Sequence, residues 1–319
     1  MRKKLIEDSY LNDHLASLSD DAMTIFVLRR GNYRGAFVHG TRMLNEMRHN
    51  HEYGVMETFI VGHAYLGAAL LASGLKGIDR VGMHLDCRGP AGGVSVEATA
   101  EGAVRGYLED APLNLVDVFG AGADSALPPV FDMSPFLGDG VLSVTRKLQD
   151  AKQPYVGRVE MAYGNIAQDL ANYHRQSEQK PSAYNLSTRF DDEGRLIGAA
   201  GLSVQAFPDS EDDHAEALDA RVRSLPSLGK LVADGADAEE LIEEHFADFE
   251  PVVAGHRAVN FYCHCSKERF GRFLAAMPLE EIRDIRDNGP FPLQTRCHNC
   301  NTIYEFTRED IEKAFQMAR

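Results

Sequence analysis

The stretch FYCHCSKERF, residues 261–270, sets Cys263 and Cys265 one residue apart. After 31 intervening residues comes TRCHNC, residues 295–300, with Cys297 and Cys300 two residues apart. Of the 5 cysteines in the chain only Cys87 lies elsewhere. A tetrahedral zinc site takes four ligands, and thiolates suit it well. Two tight turns that each supply two sulfurs therefore predict a small metal-held domain at this end of the chain. Four thiolates also suit an iron–sulfur cluster. His264 and His298 sit beside cysteines and could each replace one sulfur, although a chain turning at its ligand usually points such a neighbour outward. A domain of about 60 residues often needs a metal or a disulfide to supplement its core.

Thiolates are also the form of cysteine that oxidants attack. Close pairs can then join as disulfides, and a Cys-X-Cys ring is tight and easily reduced. The residues therefore permit a reversible switch, metal-bound and folded when reduced, metal-free and loosened when oxidised. What such a switch controls does not follow from the spacing.

Upstream of the cysteines the chain turns acidic. Its 319 residues carry a net charge of −15. Residues 207–258 hold 14 Asp and Glu against 4 Lys and Arg. In that segment Ala215, Leu218, Val222 and Leu225 form a helical stripe. EELIEEHFADF puts Leu241, Ile242, His245, Phe246 and Phe249 on one face and acids on the other. Such short helices are marginal alone, and their like charges weaken them further. They are expected to be helical only while docked on something. Residues 259–319 are charge-balanced, with 9 acids and 9 bases. No basic patch marks a nucleic-acid binder.

The first 206 residues alternate strand-like runs with few helices, which predicts an α+β fold with a largely antiparallel sheet. TIFVLRR, RGAFVHG, GGVSVEATAEG, GVLSVTRKL, YVGRVEMA and IGAAGLSVQAFP read as strands. NIAQDLANYHRQSEQ reads as a helix from Asn165, ending in a polar SEQ at 177–179. GVMETFIVGHAYLGAALLASGL, residues 54–75, is long enough to span a bilayer, but Glu57 and His63 interrupt it. It is expected to be a buried core helix. GPAGG (89–93) and FGAGADS (119–125) read as turns and lack the residues of a phosphate loop. His49 and His51 read as surface histidines, Cys87 as an ordinary thiol. The N-terminus shows no secretory signal. Without one, the expected compartment is the cytoplasm, where thiols stay reduced.

FYCHCSKERF and TRCHNCNTIYEF together resemble the zinc-binding domain of the Hsp33 family of redox-regulated chaperones. The likeness continues upstream through GPAGGVSVEATAEGAVRGYLE, GVLSVTRKL, YVGRVEMAYGNIAQDLANYHRQSEQKPSAYNL and GLSVQAFP, so it covers most of the chain. The resemblance implies Zn2+ on Cys263, Cys265, Cys297 and Cys300 in an inactive reduced state. It implies that oxidation releases zinc and forms two disulfides between near neighbours, Cys263 with Cys265 and Cys297 with Cys300. The linker then unfolds and the protein holds unfolding clients without ATP, as a homodimer. Three parts follow: an α+β core at 1–206, an acidic helical linker at 207–258 and a zinc-binding switch domain at 259–319. Leu241, Ile242, Phe246 and Phe249 are the candidate client-binding residues. The chain departs from the family pattern at Asn299, where an aromatic is frequent, and in RHNHEYGVME. No membrane or nucleic-acid partner and no catalytic activity are expected. The rival readings are a zinc-dependent thiol enzyme, such as a disulfide oxidoreductase, and a zinc-ribbon nucleic-acid module. An oxidoreductase would place Cys-X-X-Cys at the start of a helix, and four cysteines leave a catalytic zinc no open position.

Overall fold

A computed structural model describes residues 1–120, 131–208, 210 and 215–318. Along the chain run α1 (Ser9–Ser17), β1 (Ala22–Leu28), β2 (Tyr33–His39), α2 (Thr41–His51), α3 (Val55–Leu71), β3 (Arg80–Cys87), β4 (Gly93–Thr99) and β5 (Ala103–Leu108). Two short helices, α4 (Leu115–Phe119) and α5 (Ser134–Leu137), lead to β6 (Gly140–Lys147), β7 (Tyr155–Glu160), α6 (Ile166–Tyr173), β8 (Ser182–Phe190) and β9 (Leu196–Ala206). The acidic segment holds α7 (Ala215–Ser224), α8 (Leu228–Ala233) and α9 (Ala238–Phe246), followed by β10 (Pro251–Ala258) and β11 (Asn260–Phe261). The chain closes with α10 (Lys267–Ala275), α11 (Leu279–Asn288), β12 (Leu293–Arg296), β13 (Ile303–Phe306) and α12 (Arg308–Met317).

The expected α+β fold is present, with two sheets where one was foreseen. One has the order β10-β1-β2-β9-β8 and the other β11-β5-β4-β3-β6-β7. Both are antiparallel except for the β11–β5 pair. Helix α3 lies between them, touching β3, β4 and β5 on one side and β2, β8 and β9 on the other. Apolar neighbours on both sides explain its near-uniform apolar sequence. It is long and apolar enough to cross a membrane, and it is packed inside the protein, as the interrupting Glu57 and His63 suggested. Asp21, just before β1, caps α2 from outside by accepting from the Arg42 and Met43 amides at 3.2 and 2.6 Å, because Gly40 has no side chain to do so.

The linker helices dock on the five-stranded sheet. Leu218, Val222, Leu228, Val232, Leu241, Ile242, Phe246 and Phe249 pack against Phe26, Leu28, Tyr33, Phe37, Leu202 and Val204 in one buried cluster. Phe246 meets Phe26 at 6.0 Å between ring centroids. The four candidate client-binding residues are thus between 1% and 6% exposed. In this arrangement they are covered on all sides. A Cβ on Gly198 would lie 1.9 Å from the carbonyl oxygen of Gly229. The backbone of α8 therefore sits directly on β9, an approach only glycine permits.

One expectation is corrected here. Residues 251–258, read as the end of a helical linker, form β10 and pair with β1 along its whole length. The stretch begins with proline and carries two consecutive valines, which favour an edge strand over a helix. Of FGAGADS, residues 121–125 lie outside the described residues.

The SEQ end of α6 is not a solvated tail either. After Tyr173 the chain makes a π-turn, His174–Glu178, and Glu178 is largely buried. It accepts from Arg146 Nε and Nη2 at 3.2 and 2.8 Å and from the Tyr173 hydroxyl at 3.1 Å. Its second carboxylate oxygen lies 3.2 Å from His174 Nδ1. Burial alone would raise its pKa, but His174 and Arg146 overcome burial and hold it down at about 2, against an ordinary value of 4.5. A depressed carboxylate stabilises the fold above its unfolded pKa and loses that contribution as pH falls toward the folded value. Glu178→Gln is therefore expected to cost about 1–2 kcal/mol at pH 7, after allowance for solvent screening. The deficit should shrink between pH 4.5 and 2, as urea denaturation across that range would show.

Candidate metal centre

The four clustered cysteines come from two knuckles. Cys263 and Cys265 lie in the irregular segment between β11 and α10, and the second pair sits in the turn between β12 and β13. That turn is closed by Cys297 N donating to Thr302 O at 3.0 Å and Asn301 N to Cys297 O at 2.7 Å. Asn301 takes a left-handed conformation, φ 56°, which asparagine tolerates better than most residues. Helices α10, α11 and α12 pack around the hairpin through Leu274, Ile282, Phe306, Ile311 and Phe315. Thr307 and Asp310 form a capping box at the start of α12.

All four sulfurs lie within 4.8 Å of one another, and all four cysteines are buried and unbridged. Cys263 Sγ is 3.8 Å from Cys297 Sγ, and Cys265 Sγ is 3.3 Å from Cys300 Sγ. A tetrahedron of sulfurs at 2.3 Å from a central ion has edges of about 3.8 Å. Both of these contacts run across the two knuckles. Soft sulfur donors that complete a four-coordinate shell fit Zn2+ and leave no open position for a substrate. His264 and His298 point outward, against Tyr262 and Tyr107 respectively.

The electrostatics of the cluster call for a cation. Hydrogen bonds from the thiols of Cys265, Cys297 and Cys300 hold the Cys263 thiol well below its ordinary range. Competition from Cys263 raises Cys265, but the thiols of Cys297 and Cys300 outweigh it and bring Cys265 down to about 6. Hydrogen bonding to Cys263 and Cys265 in turn pushes Cys297 and Cys300 upward. Four thiolates therefore coexist only around a multiply charged ion.

Several residues outside the cysteine motif hold this knot against the core. Arg105, on β5, donates from Nη1 to Cys263 Sγ at 3.5 Å. Its Nε and Nη2 bond Glu97 at 3.1 and 2.7 Å, which fixes the guanidinium in place. Asn50 donates to the carbonyl oxygens of Cys300 and Arg2 at 2.8 and 3.1 Å. His51, read as a surface residue, is largely buried, stacks on Tyr53 and lies 3.4 Å from Asn299 O. The segment RHNHEYGVME, which departs from the family pattern, is thus what meets the second knuckle. Tyr304 donates to Cys265 O at 3.0 Å, and its hydroxyl is 3.2 Å from Cys265 Sγ. Only spatial proximity reveals these partners, since Arg105 and Cys263 are 158 residues apart. Groups that hydrogen-bond metal ligands typically support affinity by about 10- to 100-fold. Arg105→Gln is expected to weaken zinc retention within that range, measured by competition with a chromophoric chelator under reducing conditions.

Cys87 sits apart, buried at the end of β3, and its thiol is pushed up to about 12, first by burial and then by Asp86 and Glu109. It is a poor nucleophile.

Comparison with known proteins agrees with this arrangement. A family model described as "Hsp33 protein" matches residues 21–307. A 33 kDa chaperonin of Desulforamulus reducens is 29% identical over 294 residues, covering 92% of this chain and 96% of that protein. A 33 kDa chaperonin of Aquifex aeolicus is 31% identical over 301 residues, covering 94% and 90%. The crystal structure of the 33 kDa chaperonin (heat shock protein 33 homolog) from Thermotoga maritima superposes with a TM-score of 0.80. It shares 27% identity and covers 93% of this chain and 98% of that one.

Proposed function

This chain belongs to the Hsp33 family, and from that we propose that it is a redox-controlled holdase chaperone of the cytoplasm whose brake is its zinc centre. In the reduced protein Cys263, Cys265, Cys297 and Cys300 would hold Zn2+, which would supply the charge that keeps four thiolates together. Peroxide or hypochlorite takes two electrons from each pair of thiolates and closes a disulfide, Cys263 with Cys265 and Cys297 with Cys300. A sulfur in a disulfide is no longer an anionic ligand, so the ligand set is lost. The linker, residues 207–258, then detaches and exposes its own apolar residues together with the sheet face beneath. That surface takes up unfolding clients, without ATP and without catalysis, and the active form is a homodimer. Neither nucleic acid nor membrane takes part.

The observation that carries this reading is one continuous path. Linker helices cover an apolar sheet face, β10 continues them along β1, and only residues 259–262 separate β10 from Cys263. Released zinc, free thiols and suppression of client aggregation, followed together on one oxidised sample, test it. The three are expected to change in step. Equal suppression by the reduced, zinc-loaded protein would overturn the proposal.

A further inference from the structure

Between the two sheets, at the C-terminal end of α3, lies an open cleft of about 640 Å³. Arg34 from β2, Arg146 from β6 and Lys180, just past the π-turn, line it, and Glu178 is the one acid among the described residues that line it. Three cations against one carboxylate make a positive site inside a chain of net charge −15. Arg257, on β10, adds a further positive charge close by.

Structural duty accounts for some of these groups. Arg257 donates to the carbonyl oxygens of Ala72 and Leu75 at 3.1 and 3.2 Å. Arg146 reaches Leu71 O at 3.5 Å and is paired with Glu178. Cations at a helix C-terminus are favourable, and these two already serve it. Arg34 is left over. It donates to the Ser73 hydroxyl at 2.9 Å, and no carboxylate among the described residues lies within ion-pair distance of it. A half-buried guanidinium with no counter-charge is only partly compensated by the water left to it. Burial, with Arg146 and Arg257 nearby, lowers its pKa. Glu178 is committed to Arg146 and His174. Lys180 is half exposed at the mouth, 3.9 Å from Glu178.

We propose that this cleft binds a small, multiply charged phosphate anion, held by Arg34 with Arg146 and Lys180. The planar donor fork of arginine matches phosphate oxygens, and a lysine adds a point charge. Two unmatched positive charges call for an anion carrying at least two negative ones, which a single carboxylate does not. The cleft is wider than one phosphate group, and the Tyr155 ring on its rim offers a face for an organic substituent.

Isothermal titration of the full-length, reduced, zinc-loaded protein at physiological salt tests this, with inorganic pyrophosphate and adenosine diphosphate as separate probes. One saturable site with a dissociation constant of about 100 µM or tighter is expected. Equal affinity for the two probes would mean that only the phosphates are read, and tighter binding of the nucleotide that the rim contributes. Arg34→Met and Lys180→Gln should each weaken binding about tenfold or more, while Arg272→Gln, exposed on α10, should not. Lys180→Gln alters only a half-exposed side chain, so it keeps the test valid should Arg34→Met fold poorly. Without anion, Arg34→Met should be at least as stable as the parent, because it removes an unpaired charge. Absence of saturable binding, or parental affinity in both variants, would overturn the proposal.

Discussion

Cys300→Ser, kept reduced and supplied with one equivalent of zinc, is expected to lose stoichiometric metal and the compact form of residues 263–318. Structural zinc contributes about 10–16 kcal/mol of apparent binding energy in small domains at neutral pH. The apolar core here is a few side chains under three short helices, which is too little to hold a domain of this size without that contribution. The loss should be local. Hydrogen exchange should become fast from Cys263 onward, while α3 and strands β3 to β6 keep their protection. Cys87→Ser, with its thiol outside the cluster, should bind zinc normally. Full protection of the C-terminal domain in Cys300→Ser without metal would mean that the apolar packing suffices, and the switch would lose its physical basis.

Phe246→Ala should release the linker without any oxidant. Phe246 is almost fully buried against Phe26, and removing such a ring costs about 3–5 kcal/mol. Helices of 10, 6 and 9 residues have little stability of their own to set against that loss. The acidic faces add repulsion that only docking tolerates. The reduced, zinc-loaded variant should therefore exchange its amides rapidly over residues 215–249 and suppress aggregation of a heat-denatured client. A freed linker with no gain in suppression would show that exposing this layer does not create the client surface.

The local elements of the fold were largely legible. The strand-like run GGVSVEATAEG marked β4, and NIAQDLANYHRQSEQ with Asn165 at its start marked α6, because each is decided by neighbours a few residues away. The cysteine spacing was equally plain, since metal-ligand turns are short. What stayed hidden is contact between distant segments. No local pattern shows that Arg105 reaches Cys263, or that β11 pairs parallel with β5. Residues 251–258 were misassigned because the acids around them read as linker, whereas pairing with β1 decides their state. Glu178 looked like a polar helix end because its partners, Arg146 and His174, converge on it only once the π-turn forms.

The position of β10 has a mechanical corollary. It is the outermost member of its sheet, so peeling it away with the linker bares the backbone margin of β1 from Ala22 to Leu28. A margin with unspent amide and carbonyl groups can be completed by any extended peptide, whatever its side chains. The same event that uncovers greasy surface would thus create a sequence-blind foothold, and restoring zinc would let the chain's own strand compete for it.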